Sequence, residues 1–179
     1  MNRAGSEKAV MKVIVISGSM GAGKTTVMAE ASDLLAAHHI VHAAIDLDTL
    51  GVAFLPDGSS TALMYRNLAA VWANFARAGV DRLLLAEAVE HRSELERIRM
   101  AVPGASITVC RLTAGIETLR QRITLREPGM LQEKFTARAE ELNALLDGAQ
   151  VEDFCLQNER RPVTEVAREL LVRAGWLPT

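Results

Sequence analysis

The chain has 179 residues, and its 20 Lys and Arg against 22 Asp and Glu give a formal net charge of −2. Hydrophobic residues make up 49% and charged residues 23%, which excludes a disordered protein and predicts one domain with a sizeable core. Because the net charge is near zero, the sequence gives no indication of the positive surface that nucleic-acid binding requires. The start is polar and no apolar run approaches about 18 residues, so we expect neither a signal peptide nor a membrane span. Two cysteines are too few for a disulfide framework, which predicts a reducing, cytoplasmic setting.

Short apolar runs alternate with longer helical patterns along the chain. Strands are predicted at 13–16, 40–45, 82–89, 106–112 and 151–156. Helices are predicted at 24–38, 61–77, from about 92, 114–126, after 129 to about 146, and 163–174. Pro56 and several glycines and serines indicate a loop over 51–60. This alternation predicts an α/β fold with a parallel sheet covered on both faces, in one domain over 11–179 after a flexible start over 1–10.

Residues 18–25 match the phosphate-binding pattern G-x-x-x-x-G-K-[ST] at every fixed position, between a predicted strand and a predicted helix. Glycines allow a tight loop whose backbone N–H groups converge on phosphate oxygens at a helix N-terminus. Lys24 can reach the β- and γ-phosphates, and the Thr25 hydroxyl can complete a Mg²⁺ shell. The pattern therefore predicts binding of ATP with Mg²⁺. The predicted nucleotide-binding residues of this P-loop are Gly18, Ser19, Met20, Gly21, Ala22, Gly23, Lys24, Thr25 and Thr26.

Several classes of P-loop protein are excluded by what the sequence lacks. A GTPase would carry Asn-Lys-x-Asp, and a transporter ATPase would carry Leu-Ser-Gly-Gly-Gln, and the chain contains neither. It is also too short for a helicase or a ring ATPase. A small phosphotransferase remains as the interpretation.

The sequence resembles the small-molecule kinases of the nucleoside-monophosphate-kinase type, which include shikimate, gluconate and adenylylsulfate kinases and chloramphenicol phosphotransferase. The resemblance covers 12 to about 171 and is carried by the P-loop, by Ile45-Asp46-Leu47-Asp48, by Arg122-x-x-x-Arg126, and by the last strand and helix. It implies a three-layer P-loop NTPase fold, with a five-stranded parallel sheet in the order 2-3-1-4-5 and a short helical lid. It also implies ATP-dependent transfer of a phosphoryl group to a hydroxyl or phosphate of a small acceptor.

Asp46 and Asp48 follow the second predicted strand, at the sheet edge that also holds the P-loop. One carboxylate can hold Mg²⁺, with Thr25, and the other can accept the proton of an attacking hydroxyl. Similarity to shikimate-type kinases implies that Asp46 lies near the metal and Asp48 on the acceptor. Similarity to the chloramphenicol enzyme implies instead that Asp46 is the base, and the sequence leaves both assignments open.

Arg122 and Arg126 lie four residues apart, so they share one face of a predicted helix. Pro128 and Gly129 interrupt that helix, which predicts a mobile lid over about 122–131. Guanidinium groups stabilise the negative charge that spreads over a transferring phosphoryl group. The resemblance implies that one arginine lies near the adenine or its phosphates and that the other closes over the γ-phosphate.

Candidate acceptor contacts follow the loop over 51–60 and the third predicted strand. Arg66 and Asn67 lie on the helix where relatives bind substrate, and Glu87 ends the third strand, where it can hold a Mg²⁺-bound water or the substrate. Trp72 and Phe75 are predicted core residues on helical spacing.

The identity of the acceptor and the oligomeric state are not readable from the sequence. A nucleotide-binding regulatory protein and an NTPase that needs no acceptor are the alternative functions. Cys110 and Cys155 fall inside predicted strands and are expected to be buried.

Overall fold

A computed structural model describes residues 10–56, 58–126, 129 and 132–179. The strands are β1 (Met11–Ser17), β2 (Ala43–Asp46), β3 (Arg82–Ala86), β4 (Ala105–Thr113) and β5 (Phe154–Gln157). The helices are α1 (Lys24–Ala37), α2 (Leu47–Leu50), α3 (Ser60–Arg77), α4 (Arg92–Ala101), α5 (Ile116–Arg126), α6 (Gln132–Ala149) and α7 (Val163–Arg173). The paired strands run parallel in one five-stranded sheet of order β2-β3-β1-β4-β5. This confirms the predicted α/β fold class and strand order.

Strand β1 lies at the centre of the sheet because its side chains are apolar on both faces. Ile14 and Ile16 pack in a core that includes residues of α1 and α7, whereas Val13 and Val15 pack in a second core with residues of α3 and α4. These four side chains are at most 1% exposed. Full burial of such a side chain contributes about 1.5–3 kcal/mol, so the two cores hold the helical layers on either side of the sheet.

The register of the sheet brings three connections to one edge. Ile16 of β1 and Asp46 of β2 both pair with Ala86 of β3, so the three strands end at the same level. The P-loop follows β1, α2 follows β2, and Glu87 follows β3. Polar residues that are far apart in the sequence therefore meet at the carboxyl ends of parallel strands.

Three strands are shorter than their apolar runs predict: β5 covers Phe154–Gln157 instead of 151–156, and in β3 and β2 local hydrogen bonds compete with the sheet ladder. Strand β3 ends at Ala86 instead of 89, since the Val89 N–H donates to the buried Ser17 hydroxyl at 3.1 Å. Strand β2 begins at Ala43 instead of 40, where the His42 ring bonds to the Ile40 carbonyl, at 2.8 Å. The short helix α2 was not predicted, and its Leu47 is fully buried.

The prediction that both cysteines are buried is wrong for Cys155, which is exposed. Strand β5 lies at the sheet edge and pairs with β4, and its alternation turns Cys155 outward while Leu156 enters the core. Cys110 is buried in the central part of the sheet, and burial raises the pKa of its thiol. Trp72 is buried and Phe75 packs against the same core, as predicted.

Part of the predicted lid over 122–131 and most of the predicted flexible start lie outside the described residues. The structure does not describe residues 1–9 of the start, residues 127, 128, 130 and 131 of the lid, or residue 57. Helix α5 ends at Arg126 and α6 begins at Gln132. In the described part of the chain, none of the helices is both long and apolar enough to cross a membrane.

Candidate active site

The P-loop connects β1 to α1 in a conformation that depends on glycine at Gly21 and Gly23. Gly23 has a φ of 91°, and a Cβ there would lie 2.4 Å from the Asn158 amide nitrogen. Gly21 has a φ of 77°, and a Cβ there would lie 2.8 Å from the Leu119 carbonyl oxygen. Side chains at either position would be strained and would push the loop away from its neighbours. The glycines therefore let the loop pack closely on α5 and on the segment after β5.

Lys24 begins α1 with its ammonium group turned back onto the loop. The Nζ atom donates to the Gly18 carbonyl at 3.0 Å and to the Ser19 carbonyl at 3.4 Å. Burial lowers the pKa of Lys24, while the nearby carboxylates of Asp48, Glu87 and Asp46 oppose that shift. A partly buried cation surrounded by loop carbonyls is suited to receive a phosphate oxygen.

Thr25 and Asp46 form a pair of hard oxygen donors beside the loop. The Thr25 hydroxyl donates to Asp46 Oδ2 at 2.7 Å, and Asp46 is held where β2 passes into α2. A hydroxyl and a carboxylate at this spacing fit Mg²⁺, which keeps several water or phosphate ligands. Within the described residues, no cluster of three or more His, Cys, Asp or Glu could hold a metal through protein groups alone.

Two adjoining cavities open at this edge of the sheet. The phosphate cavity, of about 270 Å³, is lined by the P-loop together with Asp46, Asp48 and Arg126. The inner chamber, of about 320 Å³, lies behind it. The ionisable side chains that line the inner chamber, Tyr65 aside, are Lys24, Asp48, Glu87, Glu90, Glu94 and Arg138. Lys24 and Asp48 line both cavities, so they lie at the junction between them.

Glu87 is a buried carboxyl in the wall of the inner chamber, 9% exposed. Its Oε2 atom has no hydrogen-bond partner. Burial, together with the neighbouring carboxylates of Asp48 and Glu94, raises the pKa of Glu87 to about 8 against the opposing charge of Lys24. This shift favours the protonated form of Glu87 at neutral pH.

The far wall of the inner chamber is made by the start of α4 and by α6. Arg138 donates to Glu90 at 2.6 Å and pairs with Glu141 at 2.9 Å. Glu94 accepts from the backbone N–H groups of Glu90 at 2.7 Å and His91 at 3.2 Å, at the N-terminus of α4. These contacts hold the two walls together, and they pair the Arg138 guanidinium with the carboxylates of Glu90 and Glu141.

The two arginines of α5 take different positions around the P-loop. Arg122 donates to the Gly21 carbonyl at 3.1 Å and to the Asn158 carbonyl at 2.7 Å. Arg126 lines the phosphate cavity, and its positive charge contributes to the lowered pKa of Lys24. Arg122 therefore contacts the P-loop and Arg126 lines the phosphate cavity, and the roles of both arginines in the reaction stay predictions.

Arg66 and Asn67 are not among the residues that line the phosphate cavity or the inner chamber. The Asn67 side chain donates to the Leu50 carbonyl at 2.8 Å and so holds α2 against α3. Arg66 is exposed and lines a separate groove of about 590 Å³ with Arg97. Tyr65 lies between this groove and the inner chamber, and the Arg97 guanidinium is 5.7 Å from its ring centroid. The predicted acceptor contacts of Arg66 and Asn67 are therefore not brought to the junction.

Sequence reasoning missed Asn158, Glu94 and Arg138. The buried Asn158 amide donates to the Ala22 carbonyl at 2.7 Å and supports the P-loop from the carboxyl end of β5. The sequence held a signal for it, because a polar residue within two positions of the end of a predicted parallel strand lies at the ligand-binding edge. Arg138 and Glu94 carry no local signal, since each is one charged residue among several on an amphipathic helix.

Solved structures share this architecture over nearly their whole length. A gluconokinase from Sinorhizobium meliloti has a TM-score of 0.60 at 19% identity, covering 94% of each chain. A shikimate kinase from Acinetobacter baumannii, in complex with shikimate, has a TM-score of 0.60 at 19% identity, over 92% of this chain and 93% of that one. An APS kinase from Mycobacterium tuberculosis, in complex with AMPPNP and APS, has a TM-score of 0.62 at 22% identity, over 90% and 95%. The chain has the fold of the P-loop small-molecule kinases.

This result confirms the kinase-like fold that the resemblance implied. No protein-family model matches the sequence, and no curated protein matches it. At these low identities the likeness establishes the fold, and the reaction has to be inferred from the chemistry of the site.

Proposed function

We propose that this chain is an ATP- and Mg²⁺-dependent kinase that transfers the γ-phosphoryl group to a hydroxyl group of a small molecule. The observation that carries the proposal is the position of Asp48, whose side chain lines both the phosphate cavity and the inner chamber. A carboxylate at that junction can meet an acceptor hydroxyl on one side and the phosphates on the other. The fold shared with P-loop kinases supports the same reaction class.

The division of roles between the two aspartates follows from their contacts. The hydrogen bond between Thr25 and Asp46, at 2.7 Å, supports Asp46 as the metal-side carboxylate. Asp48 then remains as the general base, since it reaches the inner chamber and Asp46 does not line it. This assignment agrees with the shikimate-type alternative from the sequence.

In the proposed reaction, Asp48 accepts the proton of the acceptor hydroxyl, while the oxygen of that hydroxyl forms a bond to the γ-phosphorus. The bond between that phosphorus and the β,γ-bridging oxygen breaks, and ADP leaves. The P-loop N–H groups, Lys24 and Arg126 stabilise the charge on the phosphoryl oxygens. Bound by Thr25 and Asp46, Mg²⁺ would supply further neutralisation of phosphate charge.

Substitution of the proposed base tests this function directly. We expect Asp48→Asn to lower kcat by about 10²- to 10⁴-fold, because a positioned general base is lost. AMPPNP affinity should stay within about threefold of wild type, because the variant keeps the P-loop donors. The measurements are ADP release with a pool of small hydroxyl compounds and calorimetric binding of AMPPNP. Asp33→Asn, at an exposed position on α1, is the matched control and should behave as wild type.

The same assays separate the alternative functions. A regulatory protein would bind AMPPNP and release no ADP with any pool, and an acceptor-independent NTPase would release ADP equally without the pool. Either result would contradict the kinase proposal. Full kcat in Asp48→Asn would remove Asp48 from the base role.

A further inference from the structure

We propose that the acceptor carries an amine cation close to its reacting hydroxyl, and that Glu87 and Glu94 bind this cation in the inner chamber. The inference rests on the proposed kinase function and names the class of its substrate. It is carried by the charges of the chamber walls and by a buried carboxyl oxygen that has no partner.

Carboxylates converge on the inner chamber from separate parts of the fold. Asp48 comes from α2, Glu87 from the end of β3, and Glu90 and Glu94 from the start of α4. Burial disfavours charge on Glu87, and the neighbouring carboxylates of Asp48 and Glu94 add to that effect, while Lys24 opposes it. A positive group placed among them removes this repulsion, whereas a carboxylate or phosphate would increase it.

The positive charges of the chamber already have partners. Among the described residues, its lining cations are Lys24 and Arg138. Lys24 bonds to loop carbonyls and also lines the phosphate cavity, while Arg138 pairs with Glu90 and Glu141. The sequence has no Lys or Arg at 127, 128, 130 or 131, the positions between α5 and α6 that the structure does not describe. Among the residues that the structure describes, an anionic acceptor group would therefore find in the chamber only cations that already have partners.

Glu87 supplies the second observation. It is 9% exposed, lines the chamber, and its Oε2 atom is buried without a hydrogen-bond partner. A buried polar atom is costly unless a partner satisfies it, and an ammonium group offers three N–H donors together with a positive charge. A neutral hydroxyl could satisfy one oxygen, but it carries no charge to offset the neighbouring carboxylates of Asp48 and Glu94.

The volume of the chamber limits the size of the acceptor molecule. About 320 Å³ is at the small end of ligand-sized cavities, which favours a molecule of one ring. Arg66 and Arg97 line the groove on the other side of Tyr65 and do not line the chamber. The class is thus a small amine of about one ring that carries a hydroxyl group near the amine, and aminosugars and aminocyclitols are examples.

Matched probes that differ in one charged group test the proposal. Two series of compounds are titrated into the full chain with AMPPNP and Mg²⁺. The first contains glucosamine, glucose and glucuronate. The second contains 2-aminocyclohexanol, cyclohexane-1,2-diol and 2-hydroxycyclohexanecarboxylate. We expect at least one amine to bind about tenfold more tightly than its neutral and acidic partners, the size of a charge-assisted hydrogen bond. In Glu87→Gln that preference should fall to about twofold or less, while the affinity of the neutral partner stays unchanged. Glu96→Gln, an exposed residue of α4, is the matched control and should keep the full preference.

Equal binding of the three members in both series, tighter binding of an acid or a neutral member, or no amine binding overturns the proposal. An amine preference that survives in Glu87→Gln also overturns it, because the cation would then be bound elsewhere. Nucleotide binding is measured first in the same samples. Loss of AMPPNP binding in wild type contradicts the kinase function, whereas intact AMPPNP binding and ADP release with a non-amine pool contradict the amine inference alone.

Discussion

At the scale of single residues, Glu87 makes the free energy of unfolding depend on pH, and the same side chain lines the inner chamber. Its carboxyl is buried beside Asp48 and Glu94, and the resulting repulsion and desolvation raise its pKa to about 8. The folded chain therefore holds a proton that the unfolded chain releases above the ordinary pKa of 4.5. Such a group makes the free energy of unfolding fall as the pH rises through that window.

This linkage predicts the pH dependence of Glu87→Gln. The amide keeps the shape of the protonated carboxyl but cannot ionise, so the variant should gain stability relative to wild type between pH 4.5 and 8 and level off above. We expect the difference in unfolding free energy between the proteins to change by about 4 kcal/mol across the window, since each pKa unit corresponds to about 1.4 kcal/mol. Urea unfolding at pH 5 and at pH 8.5 measures it, with Glu96→Gln as the exposed control. A constant difference across the window would mean that Glu87 ionises normally in the folded chain.

At the scale of elements, Arg122 connects three segments that are distant in the sequence. From α5 it donates to the P-loop at Gly21 and to the segment after β5 at Asn158. Asn158 in turn donates to the Ala22 carbonyl at 2.7 Å. The network keeps the loop in its glycine-dependent conformation, so its loss should affect both folding and nucleotide affinity.

We expect Arg122→Ala to lower the free energy of unfolding by about 1–3 kcal/mol, because two charge-assisted hydrogen bonds are lost and backbone carbonyls are left unpaired. AMPPNP should bind at least about tenfold more weakly, because the P-loop is then less well ordered. Arg120→Ala is the matched control on the same helix, since that exposed side chain pairs with Glu117 and Glu140. Thermal unfolding and calorimetry give both quantities. Equal losses in the two variants would show that Arg122 acts only as helix surface charge.

At the scale of the whole molecule, the parallel sheet collects the site at one edge. The ends of β1, β2 and β3 lie at one level, and the two cores hold the sheet between its helical layers. Because the site is built on the ends of three neighbouring strands, including the central strand β1, nucleotide binding should stabilise the entire fold and not a single loop.

AMPPNP with Mg²⁺, at 100 times its dissociation constant, should raise the free energy of unfolding by about 2.7 kcal/mol, as expected for a ligand that binds only the folded state. Lys24→Ala should lose most of this gain, because the loop then lacks its cation for the β- and γ-phosphates. Lys134→Ala, an exposed residue of α6, should keep it. Differential scanning calorimetry measures the gain. An undiminished shift in Lys24→Ala would contradict the assignment of the phosphate site.

The sequence by itself determined the P-loop and the fold class, because both depend on local information. A run of eight residues specifies the loop, and the alternation of apolar strands with helices specifies a parallel sheet whose central strand is apolar on both faces. The proximity of Asp46 to the loop also followed, since a strand delivers its last residue to a known edge.

Only the tertiary structure decided which side chains share a cavity, because packing between distant elements sets their direction. The Thr25 hydroxyl contacts Asp46, whereas Asp48 lines the inner chamber, and this difference in position could not be read from their spacing. Arg66 faces an outer groove and Arg138 the chamber, although both are arginines on long helices. Cys155 is exposed because β5 is an edge strand, a property of sheet order and not of the apolar run. The charge of Glu87 likewise depends on burial beside Asp48 and Glu94, which no local pattern encodes.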